Sequence, residues 1–320
     1  MMGVTSFSNA VFFAAFAGLF LWRCQSAPSK TDSNAAAAAD TVPTVVQPAQ
    51  RPPLFEYRVP ADIRIKEYFR FLDGIVHHYD SLVPYHLTEH ILIRANPWVI
   101  DTLENTDYYR RIDRGDFVYD QRKLVVLHQG DTLRIPDSLY AAQLQNQINE
   151  TWIDINIPAF SLRVVEGASD TIYSFKVRVG QNKKRYQEAI QRVADLRTQT
   201  GAGRIFRINR TPSRFEDPHT GKLLKRTKRD DGRTTRMPMI PWLEPEIGGR
   251  RPGQMIHPTT NPETLGKAYS NGCIGCSESD AWRLYYYAPV GTRVVIRYDL
   301  QVVSPRGDTI TLPDIYRRKR

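Results

Sequence analysis

Cysteine is scarce in this chain, with three in 320 residues. Cys24 stands near the N-terminus, which leaves Cys273 and Cys276 for the folded part. Cys-x-x-Cys invites a dithiol redox reading. A thioredoxin-like site, however, needs a strand directly before the pair in a βαβ context, and Ser270-Asn271-Gly272 is a loop signal between β-rich flanks. A disulfide between the two in an oxidising compartment would silence either thiol as a nucleophile until it was reduced. Metal motifs are missing as well. His86 and His90 are four apart and a helix would align them, but neither a third ligand nor a His-Glu-x-x-His arrangement accompanies them. His77, His78, His128 and His219 form no ligand set, so neither metal nor cofactor is expected. The net charge of +10 comes without a nucleic-acid motif. The densest basic run, Lys222 to Arg233, is broken by Asp230 and Asp231 and lacks an aromatic platform. It reads as a solvated loop, with contact to a polyanion as the alternative and no nucleic acid as partner.

The apolar stretch Ala10 to Trp22 is too short to span a bilayer comfortably and has the size of a signal h-region. No Lys or Arg precedes it, so an uncleaved anchor is the alternative. Cys24 stands where a bacterial lipoprotein is lipidated, although Trp22 and Arg23 are poor matches to the small residues such a site prefers. Residues 1–27 are therefore read as a signal peptide or a membrane or lipid anchor. Residues 28–54, rich in Ala, Pro, Ser and Thr, form a disordered tether. The expectation is an exported protein of the periplasm or cell envelope, monomeric, touching membrane only through its N-terminal segment.

What remains is enough for a core, with 41% apolar residues and 11% aromatics. Residues 55–150 read as a mixed helix and strand region without an assignable motif. Apolar spacing predicts a helix over 63–79 and a second over 82–94, helical tendency at 103–110, and short strands around Gly130-Asp131. Gly130-Asp131-Thr132-Leu133 has a counterpart in the peptidoglycan-binding LysM module, but four residues are also what a hairpin turn looks like. Strands are expected at 152–157, 161–166, 171–179 and 203–210, with a helical insert at 185–196. Residues 305–320 read as a basic tail.

The functional information is concentrated between Ile256 and Cys276. His257 ends a strand-like run, twelve residues intervene, and Ser270-Asn271-Gly272-Cys273 follows. A thiol becomes a nucleophile when a base or a positive dipole stabilises its thiolate, and His257 folding back on Cys273 supplies a base. Gly272 and Cys273 offer backbone N–H groups to a developing oxyanion, glycine permitting close approach and a following helix start leaving N–H groups free.

This spacing, with Asn261-Pro262 and Leu265-Gly266-Lys267-Ala268 inside the loop, resembles the active-site signature of the L,D-transpeptidases, whose catalytic domain is of the YkuD type. Ser277 to Ala281 looks like that family's first helical turn, and Ala288 to Ile296 like its closing turn and strand. Residues 155–164 and 175–180 are similar to its opening strands, so the likeness covers roughly 150 residues, a typical domain length. Two positions depart: Asn271 replaces a histidine, and Gly275 replaces a polar residue, often arginine. Asparagine can still donate a hydrogen bond but cannot titrate near neutrality.

The resemblance implies a β-rich α+β fold, a YkuD-like β-sandwich over residues 151–304 with a helix after the cysteine. It implies Cys273 as nucleophile, His257 as general base and acid, and the Pro258 carbonyl as the group orienting His257. Asn271 and Ser270 would meet substrate, and Met237 to Leu243 approaches the cleft or packs on the sheet, with Trp242 as the candidate contact. Arg204, Arg207 and Arg210 are surface arginines unless they meet substrate carboxylates. The implied substrate is a peptidoglycan stem peptide, transferred through a cysteine thioester to a second stem. Water as acceptor would make a carboxypeptidase, and loss of catalysis would leave a peptidoglycan-binding envelope protein.

Overall fold

The computed structural model describes residues 52–217, 220–304 and 306–317. The segment Ala10–Trp22, Cys24, the linker up to residue 51 and His219 lie outside the described residues. Among the described residues no helix is long and apolar enough to cross a membrane. Gln50–Arg320 is one compact unit.

Its first part alternates short strands and helices: β1 (Phe55–Arg58), β2 (Ile63–Arg64), α1 (Ile65–Asp80), α2 (Glu89–Arg94), α3 (Trp98–Glu104), α4 (Tyr108–Ile112), β3 (Val125–Leu127), β4 (Thr132–Ile135) and α5 (Ser138–Glu150). The apolar spacing over 63–79 yields α1, which buries Ile65, Tyr68, Phe69, Leu72, Ile75 and Tyr79 along one face. The helix expected over 82–94 shrinks to α2. The Asp80 carboxylate accepts the Leu87 N–H and Thr88 caps the helix through the Ile91 N–H, so the chain before residue 88 is held as a turn. His86 thus lies outside α2 and shares no helix face with His90. The turn at Gly130-Asp131 closes no hairpin either, because β3 pairs with β2 and β4 with β1.

From Trp152 the chain turns to strands: β5 (Trp152–Asn156), β6 (Ser161–Glu166), β7 (Asp170–Lys176), β8 (Val179–Gly180), β9 (Lys184–Gln187), β10 (Arg192–Asp195), β11 (Gly201–Asn209), β12 (Arg226–Lys228), β13 (Thr234–Arg236), β14 (Trp242–Ile247), β15 (Ile256–Pro258), β16 (Ala268–Ser270), β17 (Ile274–Cys276), then α6 (Glu278–Tyr287), β18 (Arg293–Arg297), β19 (Gln301–Val303) and β20 (Thr309–Thr311). Eight of them form the main sheet in the order β17-β15-β14-β11-β18-β5-β6-β7. Neighbours are antiparallel except β15 with β17 and β18 with β5. The remaining strands pair as short ribbons, so the expected β-rich fold with a helix after the cysteine is borne out.

One expectation is overturned. The helical insert over 185–196 is the ribbon β9–β10, which turns through Gln191 at a φ of +53°. Its Tyr186 and Val193 are exposed, so apolar spacing there buries no helix face.

Helix α6 ties the two parts together. Ser277 Oγ accepts the Asp280 N–H at 3.0 Å, a side-chain cap on its first turn. Trp282 and Tyr286 are wholly buried. The Trp282 ring lies 6.0 Å from Phe69 on α1, and the hydroxyls of Tyr68 and Tyr286 are 2.6 Å apart. Burying each such side chain contributes on the order of 1.5–3 kcal/mol.

Candidate active site

Parallel strands cannot be joined by a tight turn. The pair β15–β17, with His257 opposite Gly275 and Pro258 opposite Cys276, is therefore connected by the long crossover 259–273, and Cys273 ends that crossover. Its last turn is held from several sides. Ser270 Oγ donates to the Cys273 carbonyl oxygen at 2.5 Å and accepts the Gly272 N–H at 3.2 Å. Thr198 Oγ1 donates to the Gly272 carbonyl at 3.0 Å. Gly272 has a φ of +110°, and a Cβ there would stand 3.1 Å from Gln254 Nε2, so glycine answers to both backbone and space.

The helix start anticipated directly after Cys273 is displaced by one strand. Residues 274–276 form β17, and α6 begins only at Glu278, so no helix starts directly after the thiol. Ser270 is buried and occupied in shaping the loop, and the Gly272 N–H is engaged by it. The Cys273 N–H makes no backbone hydrogen bond among the described residues. Asn271 is half-buried on the same turn.

His257 Nδ1 lies 2.8 Å from the Pro258 carbonyl oxygen. A carbonyl only accepts, so Nδ1 carries the proton and Nε2 is left with its lone pair. Cys273 Sγ is reached by the Met255 N–H at 3.4 Å, two residues before the histidine. The Trp242 ring on β14 packs beside the imidazole, with centroids 4.8 Å apart and planes 33° apart, and Phe215 packs against Trp242 in turn. Trp242 is thus brought to the histidine.

Burial pushes the His257 pKa down to about 4, the nearby Arg178 charge acts in the same direction, and the bond to Pro258 opposes both. The imidazole is neutral at physiological pH. Burial raises the Cys273 thiol, while the Met255 N–H and Arg178 pull it back down. Cys276 is fully buried, with Sγ 3.7 Å from the His257 carbonyl, and burial raises its thiol well above the ordinary value. Both cysteines are free thiols.

Arg178 escaped notice in the sequence, where Val177 and Val179 mark it only as the outward residue of a strand. Its backbone exchanges two hydrogen bonds with Gly275, at 2.8 and 3.0 Å. A Cβ on Gly275 would meet Arg178 Nε at 2.6 Å and Cγ at 2.8 Å, so the arginine side chain crosses the space a side chain at 275 would fill. Nη1 donates to Thr264 Oγ1 at 3.2 Å, whereas Nε is buried without a hydrogen-bond partner.

The other candidate arginines are otherwise engaged. Arg207 pairs with Glu244 at 2.7 Å, Arg210 bridges Asp73 and Glu89 at 2.7 Å each, and Arg204 is exposed at 4.0 Å from Glu246. The basic run holds a further surprise. Arg229, expected in a solvated loop, is completely buried: Nη1 donates to Glu278 at 2.5 Å, Nη2 to Gln121 at 3.0 Å and Nε to Thr235 at 2.8 Å. Next to it, Asp230 accepts the Asn261 side chain and the Glu263 N–H, and Tyr109 on α4 donates to the Thr260 carbonyl, which fixes the start of the crossover. Among the described residues no cluster of His, Cys, Asp or Glu could hold a metal.

Residues 150–296 match the family model of YkuD, the L,D-transpeptidase catalytic domain. Nothing among curated proteins matches the chain. Similar solved structures include an L,D-transpeptidase from Xylanimonas cellulosilytica, at 13% identity over 78% of this chain and 100% of that one, with a TM-score of 0.34. Others are an L,D-transpeptidase from Mycobacterium smegmatis, at 17% identity over 46% and 58% of the two chains with a TM-score of 0.30, and the catalytic domain of the E. faecium enzyme, at 13% over 46% and 96% with a TM-score of 0.28. The match spans less than two thirds of the M. smegmatis chain.

Proposed function

From the premise that residues 150–296 are a YkuD domain, we propose that this chain is a cysteine-dependent L,D-transpeptidase acting on peptidoglycan stem peptides in the cell envelope. The observation that carries the reading is the tautomer of His257. With Nδ1–H committed to the Pro258 carbonyl, Nε2 is the ring nitrogen left to act as base, on a strand beside the loop that carries Cys273.

Cys273 Sγ attacks the carbonyl carbon of the donor amide, and the thiol proton passes to His257 Nε2. The Cys273 N–H, which makes no backbone hydrogen bond among the described residues, receives the oxyanion. His257 then returns the proton to the leaving amine as the C–N bond breaks, and a thioester remains. The amine of a second stem attacks the thioester, loses a proton to His257, and the thiol departs reprotonated. Trp242 and Asn271 line the approach, and Ser270 acts by holding the turn rather than by touching substrate. Export, attachment through the N-terminal segment and a monomeric state belong to the same proposal.

The test is intact-mass spectrometry of the reduced protein with a carbapenem or a tetrapeptide donor. One acyl adduct is expected, located on Cys273 and absent from Cys273→Ala. Absence of an adduct on the reduced wild type, together with unchanged wall crosslinking in Cys273→Ala cells, overturns the reading. Release of free acid in place of crosslinked product would identify water as the acceptor.

A further inference from the structure

We propose that Arg178, laid across the missing side chain of Gly275, is the fixed cation that holds the Cys273 thiolate, and that Gly275 is glycine because it admits this arginine. The proposal deepens the reading of Cys273 as nucleophile and rests on it.

Three observations converge. The backbone bridge between Arg178 and Gly275 anchors the arginine opposite a residue two positions from Cys273. The overlap at the Gly275 Cβ position shows that any other residue there would have to displace the Arg178 side chain. The orphaned Nε marks a guanidinium whose donor capacity is not used up by the fold. Leaving a buried donor such as this Nε unpaired costs the fold on the order of 1–3 kcal/mol.

The surroundings agree on sign. The titratable groups that act on Arg178 are Cys273, Cys276, Tyr269 on β16 and Asp230 after β12, with Cys273 the strongest, and His257 is itself influenced by Arg178. Arg178 is the charged group acting on the Cys273 thiol. A cation in this position favours the thiolate and disfavours the imidazolium. It therefore assists attack by sulfur, and it drives the proton off His257 towards the leaving amine once the tetrahedral adduct has formed.

The experiment uses the full chain and needs no substrate. The rate of iodoacetamide alkylation at Cys273, resolved by peptide mass spectrometry, is followed against pH, and His257 is titrated by NMR in parallel. In Arg178→Gln both midpoints are expected to rise, the thiol by about one unit, which slows alkylation at neutral pH roughly tenfold. A purely structural role predicts a different pattern. Loosening would hydrate the site, so the thiol would fall towards its ordinary value while the imidazole rose. Arg178→Lys should recover most of the thiol shift, and Gly275→Ala should raise the thiol with the arginine still in the chain. A thiol midpoint that falls or stays put in folded Arg178→Gln overturns the proposal. Where that variant does not fold, an unshifted thiol in Gly275→Ala does the same. Because alkylation needs neither donor nor acceptor peptide, failure of acyl transfer would leave this result standing on its own.

Discussion

Two arginines that flank one crossover are treated in opposite ways: Arg229 is completely buried, and Arg178 is half-buried with its Nε buried. Arg229 has Nε, Nη1 and Nη2 each in a hydrogen bond, and its guanidinium carbon sits 4.4 Å from the centre of the Tyr108 ring. Arg178 has one side-chain hydrogen bond and an Nε with none. A fully satisfied charge network makes structure rigid and adds nothing that a substrate or a thiolate could use. A charge left partly unpaired is costly to the fold and available to chemistry. What separates the two is the count of satisfied donors, three nitrogens bonded in Arg229 against one in Arg178.

Arg229→Ala leaves Glu278 buried without its partner and is expected to cost about 3–5 kcal/mol, read from urea unfolding. If that variant kept wild-type stability, Arg229 would not be the structural member of the pair. His257→Ala should do the reverse, lowering acyl transfer by about 10²–10⁴-fold with little change in the unfolding curve. Because the imidazole titrates at about 4, the base form prevails across neutral pH, and the acid limb of kcat/KM that reports it should lie near 4 rather than near 6.5. A limb near 6.5 would mean that the histidine is better solvated than its packing indicates. Arg178→Gln gives up one hydrogen bond and should cost only about 1 kcal/mol in stability, well below Arg229→Ala. Equal losses would erase the distinction. Arg204→Ala, at an exposed and loosely paired position, sets the floor at about ±0.5 kcal/mol.

How much of this was legible in the residues depended on how local the determining interaction was. Strand β6 spans the residues its alternation predicts, because Leu162 and Val164 point into the core from one face. The spacing of His257 and Cys273 marks the candidate site because the two lie at the ends of one crossover, and the motif contains the whole of it. Residues 185–196 misled because Tyr186 and Val193 are apolar without being buried, so periodicity there had no core to refer to. Helix α5 passed unnoticed for the opposite reason. Of its thirteen residues only Ala141, Leu144 and Ile148 are buried, and the clearest signal was the cap, Asp137 accepting the Tyr140 N–H at 2.7 Å. Arg178 and Arg229 were illegible in principle, since their partners at Gly275 and Glu278 are distant in sequence and adjacent only after folding.

The seam along α6 has a practical meaning for anyone who would cut this chain. The stretch that matches the family begins at residue 150, yet Trp282 and Tyr286 are covered by α1, and the Glu278 carboxylate accepts from Gln121 and from the Tyr108 N–H as well as from Arg229. A fragment starting at the family boundary would present these aromatics to water and strand a buried carboxylate. The stretch that matches the family is therefore smaller than the unit that folds, and an expression clone should begin before Phe55 rather than at residue 150.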